Sequence, residues 1–184
     1  MSLIATQLPA DVFETIQRNA GVLVREFNVQ SWEVSAENIV GATTGGLKFS
    51  DVPSYMDFGE DIDNCPKNMM ELKQIDSREV KVSGTYVAVR TEEIKNLVGA
   101  ADLSENAIVP RDELKSEDFK SLWFVCDYGK DGAIALELQN TLNTAGFSLQ
   151  TANKGKGQFA FEYTAHYSMA NPADVPYKVY FKTA

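Results

Sequence analysis

The sequence predicts a mainly β (α+β) protein in which two antiparallel β-sheets pack as a sandwich or open barrel, with one flanking α-helix and a long early loop or hairpin. Residues 158–168 and 78–90 alternate apolar and polar side chains, which is typical of half-buried strands. Residues 91–99 carry apolar side chains at helical spacing instead. An aromatic strand face needs a second layer to cover it, so we expect the strands to pack in two layers. The predicted segments add up to about seven or eight strands, in a single domain over residues 1–184.

The start of the chain is predicted to form a short helix and then a strand. The helix lies within residues 8–20, and Gly21 is placed to end it. Residues 21–34 are rich in Val, Phe and Trp, and their apolar side chains fall on both parities, which indicates a strand buried on both faces. The apolar residues that share one face of the helix are Val12, Phe13 and Ile16.

Residues 51–68 are the least regular part of the sequence. They combine three Pro or Gly positions with five acidic residues and several large apolar ones. A stretch of about 15 or more residues without a regular element is long for a compact domain, and such loops are usually functional or disordered. Aromatic content argues against disorder here. The glycines within residues 41–46, just before this segment, predict turns in the backbone.

The rest of the chain is predicted to alternate strands with short turns. Gly84, in the middle of strand 78–90, indicates a bulge or a close backbone approach, and Thr91 is placed to cap the helix that follows. Residues 106–122 are predicted to be mostly polar connection with one helical turn at 116–120. The other predicted strands are residues 122–128, 133–139, 144–151 and 177–182, with a hairpin turn between the first two.

Charge and composition exclude several classes of function. The chain has 26 acidic and 17 basic residues, a net charge of −9. Because this charge opposes attraction to a phosphate backbone, it argues against a surface that binds DNA tightly. No apolar run approaches membrane-spanning length, and the first residues lack the pattern of a signal peptide, so synthesis in the cytoplasm is expected. Cys65 and Cys126 show neither a disulfide framework nor a zinc spacing, and we expect reduced thiols.

Few residues could carry catalysis or bind a metal. His166 is the only histidine and lies on the polar parity of its strand, whereas Cys126 shares parity with apolar neighbours, so we interpret them as a surface or interface histidine and a buried inert thiol. Asp61 and Asp63 have the spacing of calcium ligands, but the residues after them do not fit an EF-hand; an irregular cation site and simple turn capping both stay open. We therefore expect no enzyme, no cofactor and no catalytic or metal-binding set.

The large apolar residues of the irregular segment are candidates for an interface. In a monomer, exposed aromatic side chains would promote aggregation, whereas in an assembly they anchor contacts between subunits. The alternative is that the segment folds back and covers its own sheet. These residues are Tyr55, Met56, Phe58 and Ile62.

Several stretches follow one another in a characteristic order across nearly the whole chain. The early ones are TTGG at 43–46, DFGEDIDNCPKN at 57–68, SGTYVAV at 83–89 and the helix at 91–99. The later ones are EDFKSLWFVCDYG, LNTAGFSLQT, KGKGQFAFEYTAHYSM and DVPYKVY. This succession resembles the tail tube proteins, or major tail proteins, of tailed bacteriophages and prophages of Gram-positive hosts.

The resemblance implies two packed β-sheets flanked by a helix, a fold also similar to the tube protein of type VI secretion systems. It implies hexameric rings that stack into a tube, whose inner strands form a continuous barrel around a lumen that conducts DNA without binding it specifically. The partners would be other copies of the chain and other tail proteins, such as an initiator or tip, a terminator and, for a contractile tail, a sheath, with no membrane partner. The protein would be made in the bacterial host cytoplasm and reside in the virion tail. No added immunoglobulin-like domain is expected, and contractile and non-contractile tails both stay open.

The resemblance also implies that an early loop or hairpin reaches a neighbouring subunit or ring, and the matching segment is residues 47–72. Glu79 and Glu162, on the polar faces of the two clearest strands, are candidates for acids that face the lumen and repel DNA. A β-sandwich module that binds a small ligand through residues 51–68 is the alternative function. The interface candidates are Phe49, Tyr55, Met56, Phe58 and Ile62.

Overall fold

The computed structural model describes residues 11–182 with the exception of residue 18. Its helices are α1 (Val12–Thr15) and α2 (Thr91–Val98), with 3-10 turns at Met70–Leu72 and Ser116–Asp118. The strands are β1 (Val22–Val24), β2 (Gly41–Asp57), β3 (Lys73–Val89), β4 (Ala101–Ser104), β5 (Ala107–Pro110), β6 (Lys120–Tyr128), β7 (Gly132–Asn143), β8 (Ser148–Gln150), β9 (Gln158–Ala165) and β10 (Tyr177–Lys182). The prediction of a mainly β protein with one flanking helix and an early hairpin is confirmed.

Eight strands form one antiparallel sheet, and β4 and β5 form a separate hairpin. One half of the large sheet contains β1, β6, β7 and β10, and the other contains β2, β3, β9 and β8. β7 joins the halves, because its residues 133–138 pair with β6 and β10 whereas residues 141–143 pair with β9. The two halves therefore share a short seam and form a β-sandwich-like architecture.

The main core combines apolar side chains from both halves of the sheet. The alternation predicted for residues 158–168 supplies part of it, although β9 ends at Ala165 and Tyr167 beyond it is exposed. The core residues of the first half are Leu23, Leu122, Phe124, Leu136 and Leu138, and those of the second half are Val80, Val82, Tyr86, Phe161, Tyr163 and Ala165.

A smaller core covers the outer face of the first half of the sheet. Val24 is buried there beneath Phe27 and Trp32, whereas its neighbour Leu23 lies in the main core, which confirms burial of both faces of β1. A strand is present within the predicted range 21–34, but the predicted length was wrong, since β1 ends at Val24. The loop after β1 turns at Trp32, which has a φ of 56°. The side chains of Phe27 and Trp32 in this loop pack over the sheet.

The longest elements, β2 and β3, pair with each other as an antiparallel hairpin. Opposite Gly84, the register of β2 skips Gly45 and Gly46, whose φ angles of 76° and 85° are those of a bulge that only glycine adopts easily. A Cβ atom at Gly84 would lie 2.8 Å from Leu47 Cδ2 and 2.9 Å from Phe161 Cζ. The predicted bulge or close approach at Gly84 is therefore confirmed.

The interpretation of residues 51–68 as irregular was wrong for their first part. β2 continues to Asp57, and β3 begins at Lys73 rather than at residue 78. Pro53 does not end β2 because β2 is the edge strand of the sheet, where a proline is tolerated. The predicted loop thus becomes the distal half of a hairpin.

Helix α2 lies where it was predicted, but its first boundary differs by one residue. Arg90 is the N-cap rather than Thr91, and no side chain caps the helix. Gly99 ends the helix with a φ of 87°. Leu97, on the apolar face of the helix, is buried in the main core.

Near the N-terminal side of the described residues, α1 is shorter than predicted. It ends at Thr15, well before Gly21, and its C-cap Ile16 is extended with a ψ of 130°. Residues 8–10 and residue 18 of the predicted helix lie outside the described residues. With little over one turn, α1 lacks the length to be stable without tertiary contacts.

The polar connection predicted for residues 106–122 contains a strand that sequence patterning missed. β5 pairs with β4 in a hairpin with little apolar alternation, so no period-two signal marks it. The helical turn predicted at 116–120 is present as the 3-10 turn Ser116–Asp118. The strand predicted at 144–151 is confined to Ser148–Gln150.

Candidate assembly surface

The distal half of the β2–β3 hairpin leaves the body of the sheet as a two-stranded ribbon. β9 pairs with residues 80–86 of β3, so beyond that point, within the described part of the chain, residues 73–79 of β3 pair with β2 alone. We call residues 52–79 the arm and residues 55–76 the arm tip. At about 3.3 Å per residue, the paired part of the arm extends roughly 20 Å beyond β9.

The arm presents large apolar side chains on both of its faces. Tyr55 is 56% exposed and Phe58 is 54% exposed, and Met56 and Ile62 are exposed to a similar degree. Because Tyr55 and Met56 are consecutive in β2, their side chains face opposite sides of the ribbon. The arm therefore leaves these four interface candidates open instead of folding back over its own sheet, and their role in assembly stays a prediction.

Phe49 occupies a different environment from the other interface candidates. It is partly buried, it packs against the main core, and its ring centroid lies 5.3 Å from that of Tyr177 on β10. The hydroxyl of Tyr177 donates a hydrogen bond to Asp51 Oδ2 at 2.7 Å. Phe49 thus helps to hold the root of the arm against β10.

Four further exposed apolar residues of the arm were not among the sequence-based candidates. Ile75 pairs directly with Tyr55 across the ribbon. The other three are Val52, Met69 and Met70. Extending the predicted strand back to residue 73 would have revealed Ile75, because cross-strand partners share a face. The exposed apolar surface of the arm is therefore larger than the sequence indicated.

Asp57 organises the loop at the arm tip. Its Oδ1 accepts a hydrogen bond from the Gly59 amide at 2.9 Å, and its Oδ2 accepts one from the Asn68 amide at 2.8 Å. These two bonds, helped by the charges of Lys73 and Lys67, hold the pKa of Asp57 below its usual value. The tip is thus tied across its base by one carboxylate.

Replacing Asp57 by Ala is expected to loosen the arm tip without unfolding the protein. The Gly59 and Asn68 amides lose their acceptor, so their hydrogen exchange should become several-fold faster, whereas amides of β7 should be unchanged. Since the pKa of Asp57 is depressed in the folded protein, its contribution is present above the ordinary aspartate pKa and is lost as pH falls through the depressed value. Equal exchange rates in Asp57→Ala and the unmodified protein would contradict this role.

A groove of about 460 Å³ opens at the arm tip. Aromatic rings and carboxylates line it together, namely Tyr55, Phe58, Glu60, Asp61 and Asp76. The ammonium of Lys73 lies 5.2 Å from the Tyr55 ring centroid, which shows that this ring can accept a cation on its face. The groove therefore suits a partner that combines apolar and cationic groups.

Glu79 and Glu162 lie on the same polar face of the sheet. Lys81 Nζ is 2.7 Å from Glu79 Oε1 and 3.2 Å from Glu162 Oε1, and these hydrogen bonds raise the pKa of Lys81. The structure thus brings both candidate lumen acids to one lysine. The three side chains carry a net charge of −1, so this face is less negative than the two acids alone would make it.

The residues considered for catalysis lie in ordinary structural surroundings. His166 Nδ1 is 3.0 Å from the Asn140 carbonyl oxygen, and its ring packs edge-on against Phe119. Cys126 is partly buried against the main core, and burial followed by the charge of Asp127 raises the pKa of its thiol, the opposite of activation. Within the described residues, no group of three or more His, Cys, Asp or Glu side chains is placed to hold a metal ion.

Comparison of the chain with models of protein families and with curated proteins finds no match. Among the described residues, none of the helices has the length and apolar character needed to cross a membrane. The functional argument therefore rests on the geometry of the arm and of the sheet that carries it.

Proposed function

We propose that this chain is a self-assembling structural subunit of a phage or prophage tail tube, in which stacked hexameric rings form the channel for DNA. The observation that carries the proposal is the arm, a ribbon that leaves the sheet with apolar side chains on both faces. An isolated two-stranded ribbon is at best marginally stable in water, so a partner that covers it supplies stability as well as contact.

The free edge of the sheet provides a second route to assembly. β2 is an edge strand of 17 residues and, within the described part of the chain, pairs with β3 alone. Long edge strands promote pairing with another chain, and closure of several sheets into a ring removes their edges. Edge pairing between neighbouring copies would give the continuous inner barrel that the tail tube resemblance implies.

The size of the apolar surface predicts that assembly is cooperative. Burying the exposed halves of the four apolar candidates contributes roughly 1 kcal/mol each, about 4 kcal/mol in all. Association costs at least about 4 kcal/mol in lost translational and rotational freedom. Two subunits joined by one arm alone therefore associate weakly. A subunit in an assembly binds a neighbour through its own arm and also binds the arm of another neighbour, so its association is stronger.

Sedimentation velocity across a protein concentration series tests the proposal. We expect a weakly associating monomer at low concentration that converts, over a narrow range, to large particles with few intermediates. A single monomer boundary at every concentration would contradict the proposal.

Neutralising both candidate lumen acids should change how assembled particles interact with DNA. In the double variant Glu79→Gln and Glu162→Gln, Lys81 loses both of its anionic partners and attracts phosphate instead. We expect assembly to persist and binding of short duplex DNA to assembled particles to appear at low salt and disappear at high salt. Unchanged DNA binding would show that these acids do not face a DNA path.

The groove at the arm tip favours one alternative, a monomeric module that binds a cationic ligand. Its aromatic and acidic lining could hold an ammonium group through cation–π and charge contacts. A monomer that binds a cationic ligand in solution and never associates would favour this function over the tube subunit.

A further inference from the structure

The turn between β8 and β9 lies at the opposite end of the sheet from the arm. β9 runs antiparallel to β3, with Phe159 opposite Tyr86 and Ala165 opposite Val80. The arm leaves β3 on the Val80 side, whereas residues 151–157, which precede β9, lie beyond the Tyr86 side. We call residues 151–157 the basic turn. Thirteen residues of β3 separate Lys73 from Tyr86, so the arm tip and the basic turn are roughly 40 Å apart along the strands.

The two ends carry opposite charges. The arm tip contains six acidic residues and two lysines, a net charge of −4. The basic turn contains Lys154 and Lys156 and no acidic residue, and both lysines are exposed. The acidic residues of the tip are Asp57, Glu60, Asp61, Asp63, Glu71 and Asp76.

Each end also has an apolar surface beside its charges. Next to the basic turn, Phe147 and Leu149 are about half-exposed, Leu149 pairs with Phe159, and the rings of Phe147 and Phe159 are 6.2 Å apart. At the arm tip, the rings of Tyr55 and Phe58 are similarly exposed beside the acids. The ends therefore match in both apolar character and charge, which is the pattern of complementary interface surfaces.

We propose that the arm tip of one copy of this chain binds the basic turn of the next copy, in a head-to-tail contact. The contact deepens the proposed tube function and rests on it, since it names the receiving surface for the arm. Lys154 and Lys156 meet the acids of the groove, and Phe147 and Leu149 cover Tyr55 and Phe58. Because the two surfaces lie at opposite ends of the strands, each copy can receive one arm while it gives its own, and the contact repeats along the tube.

Charge argues against the symmetric alternative, in which two arm tips bind each other. Each tip carries a net charge of −4, so a tip-to-tip contact would place like charges together and would be opposed most strongly at low salt. The head-to-tail contact predicts the reverse salt dependence, with association strongest at low salt.

Charge reversal at the two ends, followed by light scattering, tests the contact. One variant carries Glu60→Lys and Asp61→Lys at the tip, and the other carries Lys154→Glu and Lys156→Glu at the turn. Each alone should weaken association by at least about tenfold. A 1:1 mixture of the two should restore association, because the unmodified tip of the turn variant then meets the unmodified turn of the tip variant, and the two introduced lysines meet the two introduced glutamates.

The matched controls change the net charge equally at exposed sites away from both ends. They are Glu33→Lys with Glu113→Lys for the tip variant, and Lys130→Glu with Lys178→Glu for the turn variant, all of them exposed and outside both the arm tip and the basic turn. We expect both controls to associate like the unmodified protein. Single reversals that associate normally, or a mixture that fails to recover, would overturn the head-to-tail contact while leaving the tube function standing. An unmodified protein that never associates would overturn both.

Discussion

Replacing Tyr55 and Phe58 by Ala is expected to abolish large-particle formation while leaving the subunit folded. Both rings are more than half exposed on the arm, so their removal costs little within the monomer but removes the largest apolar groups available to a partner. If each ring contributes roughly 1–2 kcal/mol at a contact, the concentration needed for assembly should rise by about 30-fold to several hundred-fold. Sedimentation velocity measures the association, and circular dichroism checks the fold.

The chain offers a matched control for this double variant in the β4–β5 hairpin. Leu103 is 57% exposed and Val109 is 51% exposed, close to the exposure of the two arm residues. Replacing both by Ala removes apolar surface away from the arm and should leave assembly unchanged. Unfolding of Tyr55→Ala/Phe58→Ala would instead show that the arm stabilises its own chain, and normal assembly would show that the arm is not the contact.

Replacing Glu93 by Ala is expected to lower the free energy of unfolding by about 2–3 kcal/mol. Glu93 on α2 accepts a hydrogen bond from Arg25 Nε at 3.0 Å and a second one from the same guanidinium, which also lies over the Tyr163 ring. Both side chains of the pair are mostly buried, so removing the carboxylate leaves a buried cation without its partner. Urea unfolding followed by tryptophan fluorescence measures the loss.

Glu92 provides the control for Glu93, because it is exposed on the same turn of α2. Its replacement by Ala should change the free energy of unfolding by no more than about 0.5 kcal/mol. A loss from Glu93→Ala no larger than that from Glu92→Ala would show that the ion pair does not hold α2 to the sheet.

Acid should remove the contribution of Glu93. Burial alone would raise the pKa of Glu93, but the hydrogen bonds and charge of Arg25 outweigh it and hold the pKa below the ordinary glutamate value of 4.5. The contribution of a carboxylate with a depressed pKa is complete above its unfolded pKa and is lost as pH falls through the folded one. The stability difference between the unmodified protein and Glu93→Gln should therefore shrink below about pH 4.5.

Periodicity predicted the strands that carry the core but missed those without an amphipathic face. Residues 158–168 and 78–90 alternate because one face of each meets the core, and the structure confirms both as strands. Because β1 is buried on both faces, its apolar residues at both parities predicted the burial but did not show where the strand ends. The β4–β5 hairpin buries little and left no alternation to detect.

The arm shows why the exposed apolar segment could be located in the sequence but its form could not. Proline, glycine and acidic residues are typical of loops, yet a ribbon at a sheet edge tolerates all three and exposes both faces, which erases the alternation of a half-buried strand. The importance of the basic turn depends on the antiparallel pairing of β9 with β3, which no local pattern of residues reveals. The charge of each end can be counted from the local residues, whereas only the topology shows that the two ends lie opposite one another.

Negative-stain electron microscopy of the purified protein, across a concentration and salt series, tests the central claim most directly. The proposed tube function predicts rings or tubes of constant diameter that are favoured at high protein concentration, and the head-to-tail contact predicts that they are favoured at low salt. Fields that contain only monomers, at every concentration and salt condition, would contradict the claim that this chain is a self-assembling tube subunit.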